Sequence, residues 1–252
     1  MKKPTTSRLS LSRRQCIVAA TTVLAVSLNR TLATAQDGAN VFVFSRSGRF
    51  TPMVLGPVLL GGFVVPKAIE AEVEAALEQR ARDIAFGVPL TYGTNRQNPV
   101  YLRQALDVLS DYPVAFVGAT IDVEGWQAES DAVPALRQEA EAAFLSDALE
   151  LTSVELASVR HARQQDDEIY AALEQQLGMA PTRFYDSHDD STRLYQVAST
   201  VVKCFGSLYG QRPVGGAKRD MVDAVLEFFG VDEQPASWHT DRLQIDNVVV
   251  NL

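Results

Sequence analysis

Asp186, His188, Asp189 and Asp190 put three carboxylates and an imidazole within five consecutive residues. Side chains of these types can hold a divalent cation or exchange a proton with a substrate when a fold gathers them on one edge. Asp122 and Glu124, followed by Trp126, close an apolar run and could line the same edge. The plainer reading is that acids placed after strands solvate turns and cap the helix that follows. Ser45, Ser47 and Ser199 are possible nucleophiles, yet none sits in a Gly-x-Ser-x-Gly elbow or a Ser-x-x-Lys motif. Gly215-Gly216-Ala217-Lys218 lacks the leading Gly and the trailing Ser or Thr of a phosphate loop. His161, expected in a helix, and His239, expected in a loop beside Trp238, have no zinc-ligand spacing. From these patterns no catalytic residue, metal or cofactor is assigned.

The elements that must position these groups alternate between short apolar runs and amphipathic stretches. Residues 41–44 read as a strand broken by the turn Ser45-Arg46-Ser47-Gly48, and residues 53–65 as one or two strands kinked at their glycines. Pro66 opens a helix whose apolar stripe is Ile69, Val73, Ala76, Leu77 and Ile84. A polar loop over 87–99 leads to a second helix over 100–110. Residues 114–121 form a buried strand ended by Asp122. The Ala-, Glu- and Gln-rich stretch 131–177 reads as helices throughout. A strand over 182–185, a helix over 191–209, a helix over 221–229 and an alternating strand over 243–250 complete the chain. The order predicts an α/β fold, a mixed sheet flanked by helices with a helical insertion around 131–177.

The first 35 residues have a different character. Ser12-Arg13-Arg14 follows an acid-free basic head, an apolar stretch runs over 16–28, and the small-residue site Ala33-x-Ala35 precedes Gln36. This is the pattern of a twin-arginine export signal. It predicts a signal over 1–35, a single domain over 36–252, passage through the twin-arginine translocase, and a periplasmic or extracellular destination. Six of the 23 basic residues and none of the 31 acids lie in the signal, so the mature part carries 17 basic against 31 acidic side chains. That excess repels nucleic acid and anionic membrane. No second apolar stretch is long enough to span a bilayer. Only Cys204 is left after cleavage, which rules out an intramolecular disulfide, and its apolar setting reads as a buried thiol.

Two segments resemble the bacterial family called domain of unknown function 3800, whose members have an RNase H-like fold. There a first strand runs into Asp-Glu-Ser-Gly, then a Gly-punctuated apolar strand and a helix. Here the strand runs into Ser45-Arg46-Ser47-Gly48, followed by residues 54–65 and the Pro66 helix. Late in the family an Asp-Ser loop precedes a Leu-Gln-Leu-Ala-Asp-like helix start, and here Asp186-Ser187 precedes Tyr195-Gln196-Val197-Ala198-Ser199. The resemblance covers most of residues 40–209. It implies a metal site built from carboxylates of the first strand and last helix. The corresponding residues are Ser45, Arg46 and Ser199, and Leu90-Thr91-Tyr92-Gly93 offers no acid in the middle region. Hydroxyls and a fixed positive charge cannot hold bare Mg²⁺. The chain is therefore expected to be inactive, a binding or interaction module for an unknown ligand or protein. Its vestigial site would comprise Ser45, Arg46, Gln196, Ser199 and Lys203, and would prefer an anion to a metal. The alternative is a metal-dependent hydrolase, phosphodiesterase- or nuclease-like, that uses relocated acids around Asp186–Asp190 and Asp122.

Overall fold

The computed structural model describes residues 40–47, 58–124, 155–159, 182–185, 191–209, 214–232, 238–240 and 242–251. They form a mixed α/β structure. The strands are β1 (Asn40–Ser47), β2 (Val58–Pro66), β3 (Ala115–Glu124), β4 (Glu155–Val159), β5 (Thr182–Tyr185), β6 (Trp238–His239) and β7 (Leu243–Asn251). The helices are α1 (Glu70–Asp83), α2 (Gln97–Ser110), α3 (Arg193–Tyr209) and α4 (Ala217–Phe229). Strand order is β5-β4-β1-β2-β3-β7-β6. The centre, β1-β2-β3, is antiparallel, whereas β4 joins β1, β5 joins β4 and β7 joins β3 in parallel.

Register assigns each residue of the antiparallel centre to a face, because side chains alternate along a strand. Val41, Val43, Ser45 and Ser47 share one face with Leu59, Gly61, Phe63 and with Phe116, Gly118. This face packs against the helices. Phe63, Phe116, Phe205 and Phe229 meet there as tilted and edge-on pairs with ring centroids 5.4–5.9 Å apart. Phe42, Phe44, Leu60 and Val64 lie on the other face, and they too are buried. Burial on both sides explains why β1 and β2 read as continuous apolar runs rather than alternating ones.

Four expectations are corrected. Ser45-Arg46-Ser47 does not turn; β1 runs through it, with Ser45 opposite Gly61 and Ser47 opposite Leu59. Cross-strand pairing satisfies this polar backbone as well as it does an apolar one. Asp122 does not end β3, because β7 pairs with that strand as far as Glu124. The 131–177 region is not helical throughout, since β4 lies inside it. There Leu156 and Ala157 pair in parallel with Phe42 and Val43, and tertiary pairing overrides local helix propensity. Trp238-His239, expected in a loop, is a short strand antiparallel to β7. The remaining 125–154 and 160–181 parts of the insertion lie outside the described residues.

Two helices stop the same way. After α4, Gly230 takes φ +64°, and Gly230 and Val231 donate to the carbonyls of Glu227 and Leu226. After α1, Ala85 takes φ +54°, and Ala85 and Phe86 donate to Arg82 and Ala81. This paired closure needs a left-handed residue, which glycine adopts freely and alanine does not. The strained stop at Ala85 aims the chain inward, so that Phe86 stacks on Tyr101 at 4.4 Å and Leu90 reaches the core. Ala85→Gly should keep this path and raise stability by about 1 kcal/mol. Urea unfolding of the two proteins checks it, and an unchanged or lower midpoint would show that Ala85 carries no strain.

Candidate functional site

α3 carries most of the residues in question, and its start is fixed from two directions. Arg193, Leu194 and Tyr195 have amide groups with no partner inside the helix. Thr192 Oγ1 accepts from Tyr195 at 3.3 Å, as an N-cap hydroxyl does. The other two amides donate to one carboxylate of α1: Arg193 to Glu74 Oε1 at 2.6 Å and Leu194 to Glu74 Oε2 at 2.9 Å. Thr192 and Glu74 thus cap α3 among the described residues, and the 186–190 loop expected to cap it lies outside them. Burial raises the Glu74 pKa, against the lowering effect of these two amides.

The Arg193 side chain completes the joint. Its Nε donates to Glu78 Oε1 at 3.1 Å, and Nη1 to the Val88 carbonyl at 2.8 Å and to Gln196 Oε1 at 3.2 Å. The guanidinium lies 5.7 Å from the ring centres of both Phe86 and Tyr101. Gln196 Oε1 also accepts from the Leu90 amide at 2.9 Å, while its Nε2 donates to the Ser191 carbonyl. Gln196 was expected to line a polar pocket; instead it is buried and ties the 88–90 segment to the start of α3.

Further along, α3 lies on β1. The Tyr195 hydroxyl is 3.5 Å from Ser45 Oγ, and a Cβ on Gly206 would collide with the Ser47 side chain. Tyr195, Ser199, Val202 and Gly206 recur at helical spacing, so Ser199 shares this sheet-facing side with them. Ser45 and Ser199 are buried at the same β1–α3 contact, with exposures of 6% and 2%. Small side chains permit the close approach: Ser45 and Ser47 on β1, Ser199 and Gly206 on α3. Arg46 does not join them. Alternation along β1 turns it to the opposite face of the sheet, so Ser45 and Arg46 cannot line one pocket.

Lys203 lies on the flank of α3, half-buried, and desolvation lowers its pKa. Next to it, Cys204 is buried, and its thiol pKa is pushed up by burial, which leaves a packing role rather than a nucleophilic one. Asp122 falls within β3, opposite Val249. Asp186, His188, Asp189 and Asp190, together with the signal residues Arg13, Arg14, Ala33 and Ala35, lie outside the described residues. Among the described residues, no group of three or more His, Cys, Asp or Glu side chains could hold a metal ion, and no helix is long and apolar enough to cross a membrane. The chain matches no family model and no curated protein.

Glu74, Arg193 and Tyr195 escaped the sequence reading. Glu74 and Glu78 were visible as an i, i+4 pair on α1, but nothing local shows that they face a helix start 119 residues away. Glu74→Ala would strand two buried amides and should cost about 1–3 kcal/mol. Because the folded-state pKa is raised, the Glu74 contribution to stability is greatest below its unfolded value near 4.5 and declines as pH rises through the folded value. The stability difference between wild type and Glu74→Gln should accordingly fall from pH 4 towards pH 7 in denaturant titrations. At the other end of the helix, Gly206→Ala should push α3 off β1 and destabilise by about 1–3 kcal/mol, as overpacking does. Retention of full stability would mean that Ser47 can move aside.

Proposed function

We propose that this chain is a non-catalytic, exported binding or interaction module built on an RNase H-like framework. A central first strand crossed by a late helix supports the framework, because the metal carboxylates of that fold come from those two elements. The observation that carries the inactive reading is the β1–α3 contact, where Ser45, Tyr195 and Ser199 supply hydroxyls and no carboxylate. A bare divalent cation needs anionic oxygens to replace its water shell, and three neutral hydroxyls do not provide them. Both serines are also buried, at 6% and 2% exposure.

Export rests on the Arg13-Arg14 signal pattern and on a mature part with one thiol, which suits a chain that folds before it is moved. The strong acidic excess fits a role away from nucleic acid.

Calorimetric titration of the full chain with Mg²⁺ and Mn²⁺ tests the reading together with a panel of phosphodiester and phosphomonoester substrates. The expected outcome is no saturable heat and no turnover with either metal. Metal-dependent hydrolysis abolished by Asp189→Ala with Asp190→Ala would replace this proposal with the relocated-acid hydrolase.

A further inference from the structure

The centre of the sheet is buried on both faces, and the four described helices account for only one of them. Their core takes in Val41, Val43, Leu59, Phe63, Val65 and Phe116, which share the face beneath α3. Phe42, Phe44, Leu60, Val64, Val117 and Ala119 belong to the opposite face by strand alternation and have no part in that core. Each is nonetheless only 0–3% exposed. Burial this complete within one chain requires cover from the same chain, and that cover comes from outside the described residues.

Strand topology says which residues reach this face. β1, β3, β4, β5 and β7 all run in the same direction. Residues 125–154 join the end of β3 to the start of β4, and the strand order makes them pass β2 and β1 on the way. On the Phe63 face that route is closed, because α3 already lies against β1 and β2. Handedness gives the same answer independently. Connections between parallel strands are right-handed almost without exception, so crossovers that travel in opposite directions along a sheet use opposite faces. The connection from β5 to β7 carries α3 and α4 over the Phe63 face, and the connection from β3 to β4 travels the other way.

Length and pattern agree with this path. Returning from the end of β3 to the level of its start covers about 30 Å, which about 20 helical residues span. The segment is long enough to do so with residues left for both ends. Val133, Leu136, Ala140, Phe144 and Leu151 recur in it at helical spacing, while Gln138, Glu139, Ser146 and Glu150 fall on the other side.

We propose that residues 125–154 lie across the Phe42, Phe44 and Leu60 face of the sheet and seal it with Leu136, Ala140 and Phe144. A partner approaching from this side would meet the polar side of the insertion and never the sheet itself. The placement rests on strand order and burial, and it stands whether or not the chain has the RNase H-like framework.

Paired cysteines in the full chain, with Cys16→Ser, test it. Leu60→Cys combined in turn with Leu136→Cys, Ala140→Cys and Phe144→Cys should close an intramolecular disulfide under mild oxidation in at least one pair, located by peptide mapping. Leu60→Cys with Gln138→Cys should stay open. Since a cysteine in the core could weaken folding, a second measurement uses unaltered protein: hydroxyl-radical labelling of side chains read by mass spectrometry. Leu136 and Phe144 should be protected as strongly as Phe42 and Phe44, and all four should become labelled together in urea. Closure of none of the three pairs, closure with Gln138→Cys instead, or free labelling of Leu136 and Phe144 in the folded protein would each overturn the placement. Labelling of Phe42 and Phe44 that rises when residues 1–35 are removed would overturn it in favour of the N-terminal segment, and a rise on dilution would do so in favour of a second copy.

Discussion

A helix that begins inside a protein must have its first amides satisfied by the protein, and α3 meets that constraint with a carboxylate borrowed from α1. One Glu74 side chain takes two amides, and Thr192 takes the third. Arg193 then fastens the same helix turn to Glu78, to the Val88 carbonyl and to two aromatic faces. α3 is the helix that lies on β1, so the direction set at its first turn decides how its whole length meets the sheet. The Ser45–Tyr195 contact and the Gly206–Ser47 approach inherit their geometry from this joint. Glu74 remains costly as a charge because it is buried, yet it is held where two amides and a guanidinium need an acceptor. Such a group contributes position more than net stability.

The two faces of α3 have opposite chemistry. Towards β1 the helix presents small and hydroxyl-bearing groups that let backbones come close. On the adjoining side Gln196 is tied to Leu90 and Ser191, Ser207 donates to the Lys203 carbonyl, and Lys203 is the one cation. Lys203 was expected beside Ser45 and Arg46, but its neighbours are Cys204 and Ser207, and Arg46 belongs to the other side of the sheet.

Periodicity carried much of the fold. The α1 stripe of Val73 and Leu77 is buried as its spacing implied, with Ile69, Ala76 and Ile84 packed at its margin. The strands over Thr182–Tyr185 and Leu243–Asn251 fall where apolar or alternating runs placed them. β4 was hidden because Glu, Leu and Ala favour a helix in isolation, and only the pairing of Leu156 and Ala157 with β1 makes them a strand. The end of β1 was hidden for a related reason: Ser-Arg-Ser-Gly has turn composition, and the extended form of Ser45, Arg46 and Ser47 depends on β2 alongside. The cap by Glu74 had no local signal, since capping rules search the residues next to a helix rather than another helix. Side-chain partners at the start of α3 were least legible, because Glu78 and Arg193 meet only after α1 and α3 have packed.

The parallel pairings of β1 with β4 and of β3 with β7 join residues more than a hundred positions apart, Val41 with Glu155 and Phe116 with Leu243. Contacts of that separation form late, because loop closure must precede any gain from pairing. Until they form, both outer margins of the β1-β2-β3 unit present open hydrogen-bonding groups to any other chain. The folding time of this protein is thus set by the slow arrival of β4 and β7. During that interval its exposure to aggregation is greatest.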